Sequence, residues 1–199
     1  YIGVKSNLSS LMYLRGNIDE VIEISLEKIS YYRSKEDAES NPLLIEAMMN
    51  HAVFLSQKML YSEAEIILKN VLVCFEELEN KRGLAIALNI IGNLAYEQKK
   101  YEEGVKYFKR SLEISREIGD KLHEAQSLAG ISLEMMEKDP SKARELLQKA
   151  LTVSIEIQNP HLESVLLCNL GLLATKINDY EEAKKKYLES IKSVSYTHL

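Results

Sequence analysis

Four histidines, two cysteines and a few serines are the residues of this chain that could do acid–base, nucleophilic or metal chemistry, and their spacing decides whether they do. His51, His123, His161 and His198 stand in no HExxH or similar spacing, whereas a metal needs ligands that converge at fixed distances. His51 falls where a repeat pattern usually has leucine, so it reads as a packed core histidine. Ser25-Leu26-Glu27-Lys28 has the serine-to-lysine spacing of some acyl enzymes, but it lies in a helical pattern without the companion motifs of such a nucleophile. Gly130-Ile131-Ser132 lacks the second glycine and the strand–turn–helix flanks of a nucleophile elbow. No glycine-rich phosphate cradle occurs. Cys74 and Cys168 sit far apart in helical patterns with no CxxC spacing, which predicts buried small hydrophobes of a reducing compartment. The expectation is a protein that is not an enzyme and holds neither metal nor cofactor. One constellation remains. Asn89 and Asn93 are four apart, on one face of a helix, with Tyr96 nearby. An amide both donates and accepts, so two in register can grip the main chain of an extended peptide.

The elements that would position these residues are helical. Of 199 residues 46% are hydrophobic and 28% charged, which supports a buried core and excludes a disordered chain. Three Pro, eight Gly and an abundance of Leu, Ile, Glu, Lys and Ala favour helix over strand throughout. A net charge of −5 disfavours a nucleic-acid binder, whose affinity comes largely from a basic surface. Runs such as Lys184-Lys185-Lys186, following Glu181 and Glu182, fit a solvated helix face. The longest apolar stretch, Val165 to Ala174, is broken by Asn169 and is too short for a bilayer. A cytoplasmic protein without a membrane span is expected. The chain opens on Tyr1 with no leader pattern, which reads as a cut end. Its last six residues, 194–199, resemble the translation of a transposase sequencing adapter and are expected to be a non-native tail.

Internal repetition organises the rest. ALNIIGNLAYEQKKYEEGVKYFKRSLEI, from Ala87, returns as LLCNLGLLATKINDYEEAKKKYLESI, from Leu166. Both resemble the tetratricopeptide consensus. Small residues fill its eighth place at Ser9, Ala52, Gly92, Gly130 and Gly171, where in that family a repeat's first helix, A, closely approaches its own second helix, B. Its twentieth place is filled by Val21, Ala64, Gly104, Ala143 and Ala183, at a period near 40 residues. An aromatic stands at the turn into helix B in Tyr61, Tyr101 and Tyr180. Ile18 substitutes for it, and the fourth repeat departs with Asp139-Pro140-Ser141. Pro140 suits a first helical turn, where its missing N–H costs nothing.

The resemblance implies an all-α, right-handed superhelical solenoid of antiparallel helix pairs, with five repeats at roughly 1–40, 41–80, 81–120, 121–159 and 160–193. The pairs are expected at 2–14 with 18–34, 42–57 with 61–78, 82–98 with 101–118, 121–138 with 140–157, and 161–177 with 180–193. The long period is similar to that of bacterial peptide-pheromone receptors, kinesin light chains and repeat regions attached to bacterial signalling enzymes. It implies a protein or short-peptide partner, no direct nucleic-acid or membrane partner, and scope for self-association through an uncapped last helix. In this family the A helices face the concave side, so the expected peptide-binding residues are Asn89, Asn93, Tyr96, Glu124, Ser127 and Met49. Glu46 and Glu134 join them, with Val53, Ile131 and Leu172 as apolar contacts. The basic residues that clamp a terminal carboxylate in one family version are missing, which favours a neutral or basic peptide with apolar anchors.

Overall fold

The computed structural model describes residues 17–35 and 41–195, and every element among them is a helix. These are α1 (Ile18–Arg33), α2 (Pro42–Gln57), α3 (Tyr61–Glu77), α4 (Lys81–Glu97), α5 (Tyr101–Glu117), α6 (Lys121–Lys138), α7 (Pro140–Glu156), α8 (Pro160–Lys176) and α9 (Tyr180–Ser195). The expected helix at 2–14 lies outside the described residues, as do Tyr196–Leu199. α9 runs on to Ser195, past the expected end at 193. In the repeat pattern α2, α4, α6 and α8 are A helices, and α1, α3, α5, α7 and α9 are B helices.

Local sequence explains where six of the nine described helices begin. The side chains of Asn41, Asn80, Asp120, Asp139, Asn159 and Asp179 accept hydrogen bonds from backbone N–H groups two or three residues on, at 2.9–3.2 Å. Pro42, Pro140 and Pro160 open α2, α7 and α8, where a missing N–H costs nothing.

The chain divides into two compact units, Tyr1–Leu94 and Ala95–Leu199. In the first, α1 packs on α2 and α2 on α3, around Val21, Ile45, Ala52, Leu68 and Val71, all at most 1% exposed. In the second, α5 to α9 pack in sequence around Leu128, Leu147, Leu166, Leu170 and Leu173, and α8 also touches α6. The twentieth-place residues Val21, Ala64, Ala143 and Ala183 are 0–4% exposed, and Gly104 is buried too, as a small residue at a helix contact should be.

The glycines correct one expectation. A Cβ on Gly171 would meet the Tyr187 ring at 2.8 Å, in its own helix B. A Cβ on Gly130 would meet Phe108 at 2.6 Å, and Phe108 belongs to the preceding helix B, α5. The eighth place thus faces either B neighbour, whichever aromatic ring reaches it.

Candidate functional site

The surface expected to bind a partner is the open side of the A helices, and burial divides it into residues that a ligand can reach and residues that support them. Met49, Asn89 and Ser127 all occupy the fifth place, and all three are buried, at 8%, 5% and 0% exposure. They lie under the surface, contrary to their expected position on an open face. The cause is visible in the second unit. There α8 lies against both α6 and α7, and the α6 residues Ser127 and Ile131 are buried. The Ser127 hydroxyl donates to the His123 carbonyl at 2.8 Å.

Cys168, the fifth-place residue of α8, is instead exposed, and the neighbouring Val165 and Leu172 are 42% and 41% exposed. Cys74 is half-buried. Neither cysteine is the fully buried small hydrophobe that the sequence predicts. The Cys168 thiol lies 3.0 Å from the Ser190 hydroxyl, which is also 2.9 Å from that of Ser164.

Glu46 and Asn93 are exposed, while Val53, Tyr96, Glu124 and Glu134 are half-buried. Tyr96 is held in place: its ring centroid is 4.9 Å from that of Tyr101, at an interplanar angle of 55°. Burial, then the neighbouring Tyr101 phenol, pushes the Tyr96 phenol above its usual range, while nearby Lys176 pulls the other way. Tyr96 therefore stays a protonated hydrogen-bond donor. Burial likewise raises the Glu97 carboxyl. Lys176 pairs with Glu137, so the C-terminal turns of α4, α6 and α8 bring together Tyr96, Glu137 and Lys176.

The two candidate carboxylates on α6 are both engaged. Glu124 accepts from Arg116 at 3.0 Å and from Lys121 at 3.2 Å. Burial opposes its charge, but these hydrogen bonds outweigh it and hold the carboxyl below its usual range. Glu134 accepts from Lys138 at 2.7 Å. Their charges are balanced within the chain, which weakens the expected bias toward a basic peptide. Lys121 and Lys138 stand three and four residues from their glutamates, a spacing that sequence reading can find. Arg116 comes from another helix and carries no such signal. Glu137 and Lys176 are 39 residues apart, close to one repeat, so the period was the clue to that pair.

The other groups with chemical potential are absorbed by structure. His51 is 5% exposed with its Nδ1 2.6 Å from the Ser25 hydroxyl, which itself donates to the Ile22 carbonyl. A hydroxyl has one hydrogen to give, so the imidazole Nδ1–H donates to the Ser25 oxygen. His123 donates through Nδ1 to Asp120 at 2.8 Å. His161 is exposed, and His198 lies outside the described residues. Among the described residues no group of three His, Cys, Asp or Glu could hold a metal, and no helix is long and apolar enough to cross a membrane.

Comparison with known proteins agrees with this geometry. A tetratricopeptide repeat family model matches residues 43–117 and 83–152, and a second tetratricopeptide repeat model matches 165–193. No curated relative matches the sequence. Among solved structures, BtubC (BKLC) from P. vanneervenii is similar at a TM-score of 0.74 and 15% identity, over 98% of this chain and 80% of that one. The apo form of RapI is similar at 0.75 and 17% identity, over 99% and 71%. Aspartyl phosphate phosphatase F from Bacillus subtilis gives 0.73 and 13% identity, over 96% of this chain and 60% of that one. At these identities the likeness is one of fold.

Proposed function

Because the chain belongs to the tetratricopeptide repeat family, whose fold serves protein-binding scaffolds, we propose that it holds a short extended segment of another protein along the open side of its A helices. The observation that carries this reading is on α4. An exposed Asn93 amide stands one turn from Tyr96, whose ring is fixed against Tyr101 and whose phenol stays protonated. A donor–acceptor amide beside a fixed donor suits a peptide main chain, and a preformed ring loses little entropy on binding. Glu46 and Val53 on α2 within the first unit, and Glu124 and Glu134 on α6 within the second, are the further candidates for contact. Met49 and Asn89 in the first unit, and Ser127 in the second, lie beneath the surface. With Glu124 and Glu134 already paired, the bound segment is neutral and is read through its main chain.

A peptide library displayed on phage and selected on the chain supplies the probe, and fluorescence anisotropy of the selected peptide supplies the readout. Asn93→Ala is expected to weaken binding about tenfold, the worth of one good hydrogen bond, with thermal melting unchanged. Equal affinity in Asn93→Ala and in Tyr96→Phe removes α4 from the binding surface.

We also propose, as a second reading, that the module regulates an attached or partner enzyme. Its support is the likeness to aspartyl phosphate phosphatase F, 60% of whose chain this one covers.

A further inference from the structure

The outer side of α9 carries an exposed apolar stripe. Tyr180 is 65% exposed, Tyr187 38%, Leu188 50% and Ile191 64%, and their spacing keeps them on one side of the helix. The internal B helices show how unusual this is. Phe108 in α5 and Leu147 in α7 occupy the place of Tyr187, and they are 1% and 0% exposed. Leu188 stands where α5 has Lys109 and α7 has Gln148, both exposed polar residues. α9 is therefore apolar even at a place where the internal B helices face water, so its stripe is more than the bare contact side of a repeat.

The charges beside the stripe indicate what covers it. At 3.6 residues per turn, Glu181 and Lys192 fall on the same flank of the stripe, near opposite ends of the helix. Both are exposed, and neither is ion-paired among the described residues. When two α9 helices lie antiparallel about a twofold axis between Lys186 and Tyr187, Glu181 of each copy comes opposite Lys192 of the other. Tyr187 and Leu188 then meet at the centre, and Tyr180 of one copy lies beside Ile191 of the other. Lys184, within the stripe, can lay its aliphatic stem along the contact and carry its ammonium to the rim.

We propose that α9 is a self-association surface, through which two copies of this chain pair antiparallel by Tyr180, Tyr187, Leu188 and Ile191, with a Glu181–Lys192 contact at each end. The interface is isologous, so each substitution acts twice.

Sedimentation velocity on the full chain, from about 1 to 200 µM, suits an interface at the small end of the specific range. Dimer is expected to grow in with concentration. Ile191→Lys and Leu188→Lys should each abolish it while circular dichroism and melting stay unchanged, since both side chains face solvent in the monomer. Glu181→Lys and Lys192→Glu should each raise the dissociation constant about tenfold, and the double variant should return it to within about threefold of the parent. A chain that stays monomeric across the range overturns the proposal, as does a dimer indifferent to Ile191→Lys. Failure of the double variant to recover overturns the antiparallel register. Mass that climbs beyond the dimer without limit points to head-to-tail stacking of repeats and overturns the twofold pairing.

Discussion

Ser115 carries a hydroxyl at 0% exposure with no hydrogen-bond partner, whereas its counterpart one repeat on, Ser154, donates to the Leu151 carbonyl at 2.8 Å. A buried hydroxyl left unpaired costs more than the atom returns in packing. Ser115→Ala is therefore expected to stabilise the chain by about 1 kcal/mol in denaturant unfolding, and Ser154→Ala to give no gain. His51 supplies a pH dependence. Burial pushes its imidazole below the ordinary 6.5, and the nearby Glu63 charge opposes this only in part. The folded chain thus binds fewer protons than the unfolded one once pH drops beneath 6.5, so stability is complete above that value and falls as pH descends toward the folded pKa. Glu124 and Glu145 act lower, since their partners hold both carboxyls below 4.5, Glu145 at about 2. Melting temperature recorded between about pH 7.5 and 5.5 should fall with pH, and His51→Gln should flatten that slope. A core role for His51 was legible from its place in the repeat. Its partner Ser25 was not, because the contact joins two helices 26 residues apart with no spacing rule to mark it.

At the scale of the element, the turns keep the repeat more strictly than the helices do. Left-handed backbone recurs at Met59, Glu79, Lys99 and Gly119, one every twenty residues, and again at Gln158 and Asn178. At each of these the next residue's N–H donates back to a carbonyl five residues earlier, as Leu60 does to Leu55, Lys100 to Ala95, Asp120 to Ser115 and Asp179 to Ala174, at 2.8–3.0 Å. This closes the helix end by a Schellman bond. The exception is Asp139, at φ −151, where Pro140 follows directly and the turn is shorter. That departure was readable from Asp139-Pro140-Ser141, and proline chemistry placed the helix boundary there. The other turns gave no such sign, since only one of the six left-handed positions is glycine. A Cβ on Gly119 would meet nothing within 4 Å, so its substitution tests backbone alone. Gly119→Ala should cost about 1 kcal/mol, and Lys99→Gly should cost little or gain a few tenths, because the strain that it relieves offsets the freedom it adds to the unfolded chain. Equal losses in the two variants would mean that the left-handed turns are not what these positions select.

At the scale of the whole molecule, equivalent residues differ by what lies over them, and this is where sequence reading stopped. The period located the helix pairs and the small residues, but of the fifth-place residues Ser127 is buried and Cys168 exposed, a difference set by packing and not by the place itself. That is why Met49, Asn89 and Ser127 read as surface from the pattern and lie beneath it in the fold. The two glycines of the second unit turn the same contrast into a stability difference. Gly130 lies within 2.6 Å, by its would-be Cβ, of a Phe108 ring that is 1% exposed and hemmed in on all sides. Gly171 lies within 2.8 Å of a Tyr187 ring that is 38% exposed and can swing toward solvent. In a helix interior Gly→Ala gains about 1 kcal/mol when the methyl has room, and overpacking a closed contact costs about 1–3 kcal/mol. Gly130→Ala is thus expected to be net destabilising by about 1 kcal/mol or more, and Gly171→Ala to be neutral or stabilising. Chemical denaturation of the two variants in parallel decides it: a Gly171→Ala loss as large as that of Gly130→Ala would mean that Tyr187 is as confined as Phe108, by a covering that the isolated chain must then supply.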